Sequence, residues 1–458
     1  MCGWRSSSKN SPRTGLFCFK THPRMLWMKN RLELFPVSTQ IIDDKLNIGG
    51  CDVKTLADQY GTPLYIYDRA DLDYAASLYR RFLEQYWPGR WSVTYAGKAF
   101  LCTTIAKWAY EQGFCVDSTG AGEIAIAARA GVPAENIVVH GVNKSDEDLQ
   151  AAIRHAGTIV VDNLSELRRI TEIKRKTQNE NLPELWLRFK PGSSVNTHAY
   201  TQTGHSDSKF GMPDEQIMQA AQTCRENDLP LKGIHFHQGS QFRDPAPLAE
   251  GIEKALDLAA EIGFKGEWHL SPGGGWGMAY HEDDLPHPSI EEYVRFVTEN
   301  IRMRCEKYGM ELPHLHLEPG RSLVAKAGVA VYRVGTVKRT HTKSWLLIDG
   351  GLADNPRHAL YGAKYSCLTV EKPAGSPTET VSIAGPFCES GDVVIEAIPL
   401  RAVEENELIA IPMSGAYHLS MSSNYNGARR PAVLMVENGQ ARVIVTRETA
   451  ADLTRRDQ

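Results

Sequence analysis

The chain has 458 residues, 42% of them hydrophobic and 23% charged, with a formal net charge of -4 at pH 7. That length exceeds one ordinary core, so two domains are expected, and the charge balance gives no reason for nucleic acid or an anionic membrane as partner. No apolar run is long enough to span a bilayer, and nine scattered cysteines without a C-x-x-C pair argue for reduced thiols in a cytoplasmic setting.

Residues 1–36 form a basic extension with Ser6-Ser7-Ser8 and Pro12 but no uninterrupted apolar segment, so no secretory signal is expected. Met25 and Met28 are alternative starts, and the segment is assigned no fold. Residues 37–63 read as strand-like pieces that join a later β-domain. Leu64-Tyr65-Ile66-Tyr67 opens the next unit, and 70–86 is helical. Apolar strands then recur near 92–97, 114–118, 137–141, 158–162, 185–190, 232–237, 267–271 and 315–318. Helix-period segments lie between them at 103–112, 121–130, 145–155, 164–176, 214–227, 247–262 and 290–308. These make about eight strands, the number that closes a parallel barrel. The expected fold class is α/β: a (β/α)8 barrel over 64–325, followed by an all-β sandwich or barrel over 326–458. In that last unit strand-like segments alternate with Gly and Pro, and helical patterning stops.

Polar residues follow directly on the apolar strands: Lys98, Asp117, His140, Asp162, Arg188, His237, Gly273–Gly275 and Glu318. In a (β/α) barrel the C-terminal strand ends form one face, where chemistry sits. Lys98 closes the strand-like Val93-Thr94-Tyr95-Ala96, with small residues on both sides. Its stem is expected among apolar groups with little solvent at its ammonium; burial favours the neutral amine, which forms a Schiff base with an aldehyde. Gly273-Gly274-Gly275 lets backbone N–H groups turn toward an anion such as phosphate, without the G-K-[ST] of a Walker loop. Glu318-Pro319-Gly320-Arg321 sets a carboxylate that can keep a pyridine nitrogen protonated beside a guanidinium that can fork onto phosphate or carboxylate. His237 offers a ring that can stack and Ser240 a hydroxyl, whereas His235 is expected to be a core histidine facing away. No metal site is expected. Cys388 next to Glu389 is a candidate acid or base pair. Tyr417 lies in a polar aromatic loop, and Arg357 with Tyr361 supplies a further anion site.

Together these motifs resemble diaminopimelate decarboxylase, within the fold-type III pyridoxal-phosphate enzymes that include ornithine decarboxylase and alanine racemase. The resemblance rests on Y-A-x-K-A at Lys98, H-x-G-S at His237, G-G-G at Gly273, E-P-G-R at Glu318, C-E-S-x-D at Cys388 and G-A-Y at Tyr417. It runs from about residue 40 to Leu453 and includes Ser208-Lys209-Phe210-Gly211. It implies pyridoxal 5'-phosphate as cofactor and decarboxylation of meso-diaminopimelate to L-lysine. Lys98 would be the Schiff-base lysine, His237 the stacking ring and Glu318 the partner of the pyridine nitrogen. Asp117, Pro319 and Gly320 would lie at the cofactor, with Ser240, Gly273, Gly274, Gly275 and Arg321 on its phosphate. Cys388 would donate a proton from the second subunit of a homodimer, Tyr417 would touch cofactor and substrate, and Arg321, Arg357, Tyr361 and Glu389 would hold the distal end of the substrate. That end is itself an amino acid, so it needs a cation for its carboxylate and an anion for its ammonium; Arg357 and Glu389 are that pair. The chain departs from the family at Phe100, where Asn is usual, at Gly120, where a serine is absent, and at Gln238. Two alternatives remain open here: a relative acting on a siderophore or antibiotic pathway amino acid, and a non-catalytic cofactor-binding homologue.

Overall fold

The computed structural model describes residues 23–177, 181–192 and 208–458, the side chains of residues 23–27 excepted; the first 22 residues of the N-terminal extension lie outside this range. Eight parallel strands close into a barrel: Trp91–Ala96, Cys115–Ser118, Ile137–Val139, Thr158–Val161, Glu184–Arg188, Leu231–His235, His269–Ser271 and His314–Leu317. Each pairs with its sequence neighbour, and the last returns to the first with Leu317 opposite Val93. Helices Thr103–Glu111, Ala121–Arg129, Asp146–His155, Leu164–Thr177, Asp214–Glu226, Leu248–Ile262 and Ile290–Tyr308 cover the outside. Their start signals are local. Ser145 and Asp148 form a reciprocal capping box, while the next helix is capped by Asn163, whose side-chain oxygen accepts from the Glu166 N–H at 2.9 Å.

The β-domain is a nine-stranded sheet. Leu64–Asp68, placed from sequence at the head of the barrel unit, belongs to this sheet. It runs antiparallel to Gly328–Arg339, with Leu64 opposite Val331, and parallel to Ala432–Glu437, with Leu64 opposite Ala432. The physical reason is burial on both faces. Leu64 and Ile66 pack with Leu46, Ile48, Val53 and Leu56, whereas Tyr65 and Tyr67 turn toward the barrel side. Residues 40–52 form a separate three-stranded sheet on this domain, and Val53–Tyr60 is a helix, capped by Asp52, where strand was expected. Short helices at Arg357–Tyr361 and Ala450–Thr454 interrupt the all-β pattern.

The N-terminal extension contributes a helix, Pro23–Glu33, that ties the two units together. Arg31, 1% exposed, pairs with Glu282 of the barrel unit at 2.7 Å and donates to the Pro399 carbonyl of the β-domain at 3.1 Å. Among the described residues no helix is long and apolar enough to cross a membrane, and all seven cysteines are free.

One buried ion pair fixes the loop after the third barrel strand. Lys144 Nζ donates to Glu166 at 2.8 Å and to the carbonyls of Gly141 and Val160 at 2.9 and 2.8 Å, with both side chains fully enclosed. Burial pushes the Glu166 carboxyl up, and Lys144 opposes it. Removing one partner of such a pair strands a charge. Lys144→Met is therefore expected to lower the unfolding free energy by about 3–5 kcal/mol, and adding Glu166→Leu to recover most of it. Urea unfolding followed by tryptophan fluorescence measures both; a single variant within about 1 kcal/mol of wild type contradicts the assignment.

Candidate active site

The C-terminal strand ends open into a cavity of about 760 Å³, lined by Lys98, Asp117, His140, Arg188, His235, His237, Ser240, Tyr280, Glu318, Arg321, Arg357, Tyr361 and Tyr417 among others. A recess continuous with it is lined by Gly274, Gly275 and Gly320 together with Lys98, His237, Ser240, Glu318, Arg321 and Tyr417. Barrel closure assembles this floor. The Ala96 N–H donates to the Pro319 carbonyl at 3.0 Å, and the Glu318 N–H to the Gly273 carbonyl at 3.0 Å. Gly273 and Pro319 thus act through their backbone.

Lys98 departs from expectation in one respect. The strand ends at Ala96, and Lys98 rides on a single 3-10 turn, Gly97–Ala99, with its side chain exposed to the cavity instead of enclosed among apolar groups. Only glycine fits at the start of that turn: a Cβ at Gly97 would lie 2.6 Å from the Asp117 carbonyl oxygen.

Glu318 is the most constrained group of the site. Ser271 Oγ donates to Oε1 at 2.6 Å, and His235 Nε2 lies 3.1 Å from Oε2. Burial acts to raise its carboxyl, but the neighbouring His235 and His140 and the two hydrogen bonds hold it well below the usual carboxylate range. His235 was expected to face away from His237. In fact residues i and i+2 of an extended strand share a face, so His235 joins the cavity wall beneath Glu318. Burial holds both imidazoles below their ordinary value, Lys98 and Arg188 adding to it at His237. The Gly274 N–H donates to His237 Nδ1 at 3.2 Å, so the neutral ring carries its proton on Nε2. Asp117 is pushed well above its ordinary value by burial, with Lys98 opposing.

The arginines cluster with tyrosines. Arg321 donates to Tyr280 OH at 2.7 Å and to Ser240 Oγ at 3.0 Å, and lies 4.6 Å from the Tyr417 ring centre. Arg357 sits 4.4 Å over the Tyr280 ring and donates to Tyr365 OH at 2.6 Å. The two guanidiniums outweigh burial and hold the Tyr280 phenol below its ordinary value. Tyr417 takes a left-handed backbone conformation, φ 61°, that non-glycine residues seldom adopt; its N–H is held by the Ala99 carbonyl at 2.8 Å. Tyr280, Tyr365 and His418 were not singled out from sequence. Tyr280 lies five residues beyond the Gly273–Gly275 run, the only local signal that it had.

The site fits a phosphate-bearing pyridine. A Cβ at Gly274 would lie 1.9 Å from the Glu318 carbonyl oxygen, and one at Gly275 1.9 Å from the Gly239 carbonyl oxygen, so the cradle admits backbone alone. Buried polar atoms of residues that line the cavity, Arg321 Nε, Asp117 Oδ1, His140 Nε2 and His235 Nδ1, lack hydrogen-bond partners within the protein. Glu318 supplies an acceptor for a ring N–H, and Lys98 an amine.

The departures from the family pattern have structural answers. Phe100 is buried and stacks on Tyr67 with ring centres 4.9 Å apart, away from the cavity. At Gly120 the missing side chain leaves room for Asp148: a Cβ there would lie 2.8 Å from its Oδ1, which accepts from the Ala121 N–H at 2.8 Å and caps the helix from outside. Gln238 is buried and donates to the Pro247 carbonyl at 3.2 Å.

Cys388 and Glu389 are not brought to this cavity. They stand exposed on the loop from Gly385 to Asp392, where Asp392 accepts from Phe387 N–H at 2.9 Å and from Leu352 N–H at 2.7 Å. The aspartate of the C-E-S-x-D motif therefore ties the Cys388 loop to the segment that leads into Arg357.

Comparison with known proteins agrees with this geometry. The family model for the pyridoxal binding domain of pyridoxal-dependent decarboxylases matches residues 73–325. The diaminopimelate decarboxylase of Bacillus subtilis is 40% identical over 421 residues, covering 90% of this chain and 95% of the relative. That of Synechocystis is 37% identical over 465 residues, covering 97% of each. The crystal structure of diaminopimelate decarboxylase from M. jannaschii in co-complex with L-lysine superposes with a TM-score of 0.84 at 31% identity, covering 92% of this chain and 98% of that one. With the barrel, the cradle and these relatives in agreement, the chain belongs to the diaminopimelate decarboxylase family of pyridoxal-dependent decarboxylases.

Proposed function

We infer that the chain is a pyridoxal 5'-phosphate-dependent carboxy-lyase that converts meso-2,6-diaminopimelate to L-lysine and carbon dioxide. The observation that carries this is one cavity holding Lys98 and Glu318 at its floor and Arg357 with Tyr361 on its wall. Relatives named for this activity, and the L-lysine in the M. jannaschii complex, support the substrate.

When bound, the cofactor supplies a pyridinium ring that accepts the electron pair left behind as carbon dioxide departs. Lys98 would hold its aldehyde end. Arg321, Ser240 and the N–H groups of Gly274 and Gly275 would hold its phosphate, and Gly273 and Gly320 shape that recess. His237 would cover one face of the ring, with Asp117 beside it. Glu318, held ionised by Ser271 and His235, would accept the ring N–H and keep that proton in place. Arg357 and Tyr361 would bind the distal carboxylate of the substrate, with Arg321 and Tyr417 closing the space between the two ends.

The distal ammonium needs an anion, and the carbon that loses carbon dioxide needs a proton in its place. Cys388 and Glu389 carry those groups but stand exposed, outside the cavity of their own chain. They would serve the site of a second copy: Glu389 holding the ammonium and Cys388 Sγ returning a proton to the carbon, with Lys98 Nζ the other proton source. The chain would act as a homodimer.

A product panel tests the substrate. L-lysine and carbon dioxide in equal amounts are expected from meso-diaminopimelate, and no carbon dioxide from ornithine or arginine. Absence of lysine, or comparable turnover of ornithine, sinks the assignment. In Arg357→Ala, kcat/KM should fall about 100-fold, the cost of leaving a buried carboxylate unpaired.

Variants test the shared site. Lys98→Ala should lose borohydride-trapped cofactor and activity, and Cys388→Ala should lose about 100-fold in kcat. Mixing the two after dissociation should restore about a quarter of wild-type activity, because half of the random dimers are hybrids with one intact site of two. Mixed protein that stays inactive while re-forming dimers argues against a site built across two copies.

A further inference from the structure

Arg357 has no carboxylate partner among the described residues, although it is only 6% exposed. A buried guanidinium without a counter-charge is costly. Its counter-charge lies at the end of a chain of side chains. Arg357 Nη1 is 2.6 Å from Tyr365 OH, which is 2.8 Å from His418 Nε2. His418 Nδ1 is 3.4 Å from Tyr65 OH, which is 2.9 Å from Asp354 Oδ2. Tyr332 OH donates to the same carboxylate oxygen at 2.6 Å, and the Gly351 N–H to the other at 2.9 Å. Every member is buried, Asp354 the most exposed of the relay at 4%.

The direction of each proton follows from the two ends. A guanidinium only donates, so the Tyr365 oxygen accepts and its own O–H must go onward to His418 Nε2. That nitrogen is then unprotonated, and the neutral imidazole carries its proton on Nδ1, toward Tyr65. Tyr65 in turn donates to Asp354, which as a carboxylate only accepts. Burial, with Arg357 and Arg321 adding to it, holds His418 well below its ordinary value, as a neutral link requires. Burial pushes Asp354 up to about 6, which leaves it predominantly ionised at neutral pH. The chain thus runs one way, from cation to anion, without a reversed bond.

We propose that Tyr365, His418 and Tyr65, ending on Asp354, form a positioning relay that orients Arg357 and stabilises its charge from a distance, and so sets selectivity for ligands with a distal carboxylate. A carboxylate placed directly on Arg357 would neutralise it and compete with substrate. A relay spends one N–H of the guanidinium on Tyr365 and, apart from the contact with Tyr280, leaves the rest of the fork for the ligand. The members come from four separate segments: Tyr65 from a strand, Asp354 from a loop, Tyr365 from the turn after a short helix, and His418 from the loop of Tyr417. The proposal rests on the assignment of Arg357 to the distal carboxylate.

The test compares inhibition by L-lysine and by cadaverine, which differ only in that carboxylate, using enzyme loaded with pyridoxal 5'-phosphate. Tyr365→Phe removes one oxygen from a packed ring. His418→Leu breaks the chain, whereas His418→Gln keeps an acceptor for Tyr365. In Tyr365→Phe and His418→Leu the inhibition constant for L-lysine should rise about tenfold and that for cadaverine should stay within about twofold, as expected for losing one hydrogen bond to a charged group. KM for diaminopimelate should rise more than kcat falls, and His418→Gln should recover part of the loss. An unchanged lysine-to-cadaverine ratio in Tyr365→Phe overturns the relay, and this variant decides alone if His418→Leu fails to fold. A wild-type enzyme that does not prefer L-lysine to cadaverine overturns instead the role of Arg357 on which the relay rests.

Discussion

Closure of the barrel between its first and last strands is the constraint on which the site depends. Leu317 stands opposite Val93, so the residues that follow each strand are carried to the same place: Lys98 on its turn and Glu318 on its strand end. The Ala96 to Pro319 hydrogen bond locks the two exits together. A register slip of one residue would turn Glu318 away from Ser271 and His235, because strand side chains alternate faces. An amine, an ionised carboxylate and a glycine cradle are then neighbours through backbone pairing alone, before any ligand arrives.

The floor that closure creates is polar and enclosed, which is expensive unless each group is matched. Glu318 is matched twice, by Ser271 and His235. Among the buried atoms left without a partner, those on Arg321, Asp117, His140 and His235 belong to residues that line the cavity. Unmatched groups in such a place are a site prepared for a ligand, since the same groups satisfied internally would leave nothing to bind it.

The β-domain supplies what the barrel lacks. Arg357, Tyr361 and Tyr417 all come from beyond the last barrel strand and reach back over the mouth. Leu64–Asp68 makes this geometry rigid: it enters the sheet between two later strands, so the chain is threaded through the β-domain before the barrel begins. Its two tyrosines face the barrel side, where Tyr67 meets Phe100 and Tyr65 meets the buried Asp354. The departure at Phe100 therefore belongs to the seam between domains and leaves the cavity wall unaltered.

Periodicity along the sequence determined the eight strands and seven of the helices around them, because alternation and helical spacing are local and the Gly, Pro and capping signals that end each element are local too. It also marked Lys98, His237, Gly273–Gly275, Glu318 and Arg321, since polar residues at the ends of apolar strands stand out against their neighbours, whereas Arg357 was marked with Tyr361 as an anion site in a loop. Tertiary structure alone decided the rest. Leu64–Asp68 looks the same whether it opens a barrel or joins a sheet, and only its partners far along the chain, near Val331 and Ala432, make the choice. Whether Lys98 is enclosed or open depends on the turn Gly97–Ala99, packed closely against the backbone of the next strand. His235, Tyr280, Tyr365 and His418 gain their places from contacts across the fold, and no spacing announces them. Side-chain direction and long-range pairing are properties of the closed fold, so the sequence named the amine and the anion sites, and the packing of two domains decided what each of them touches.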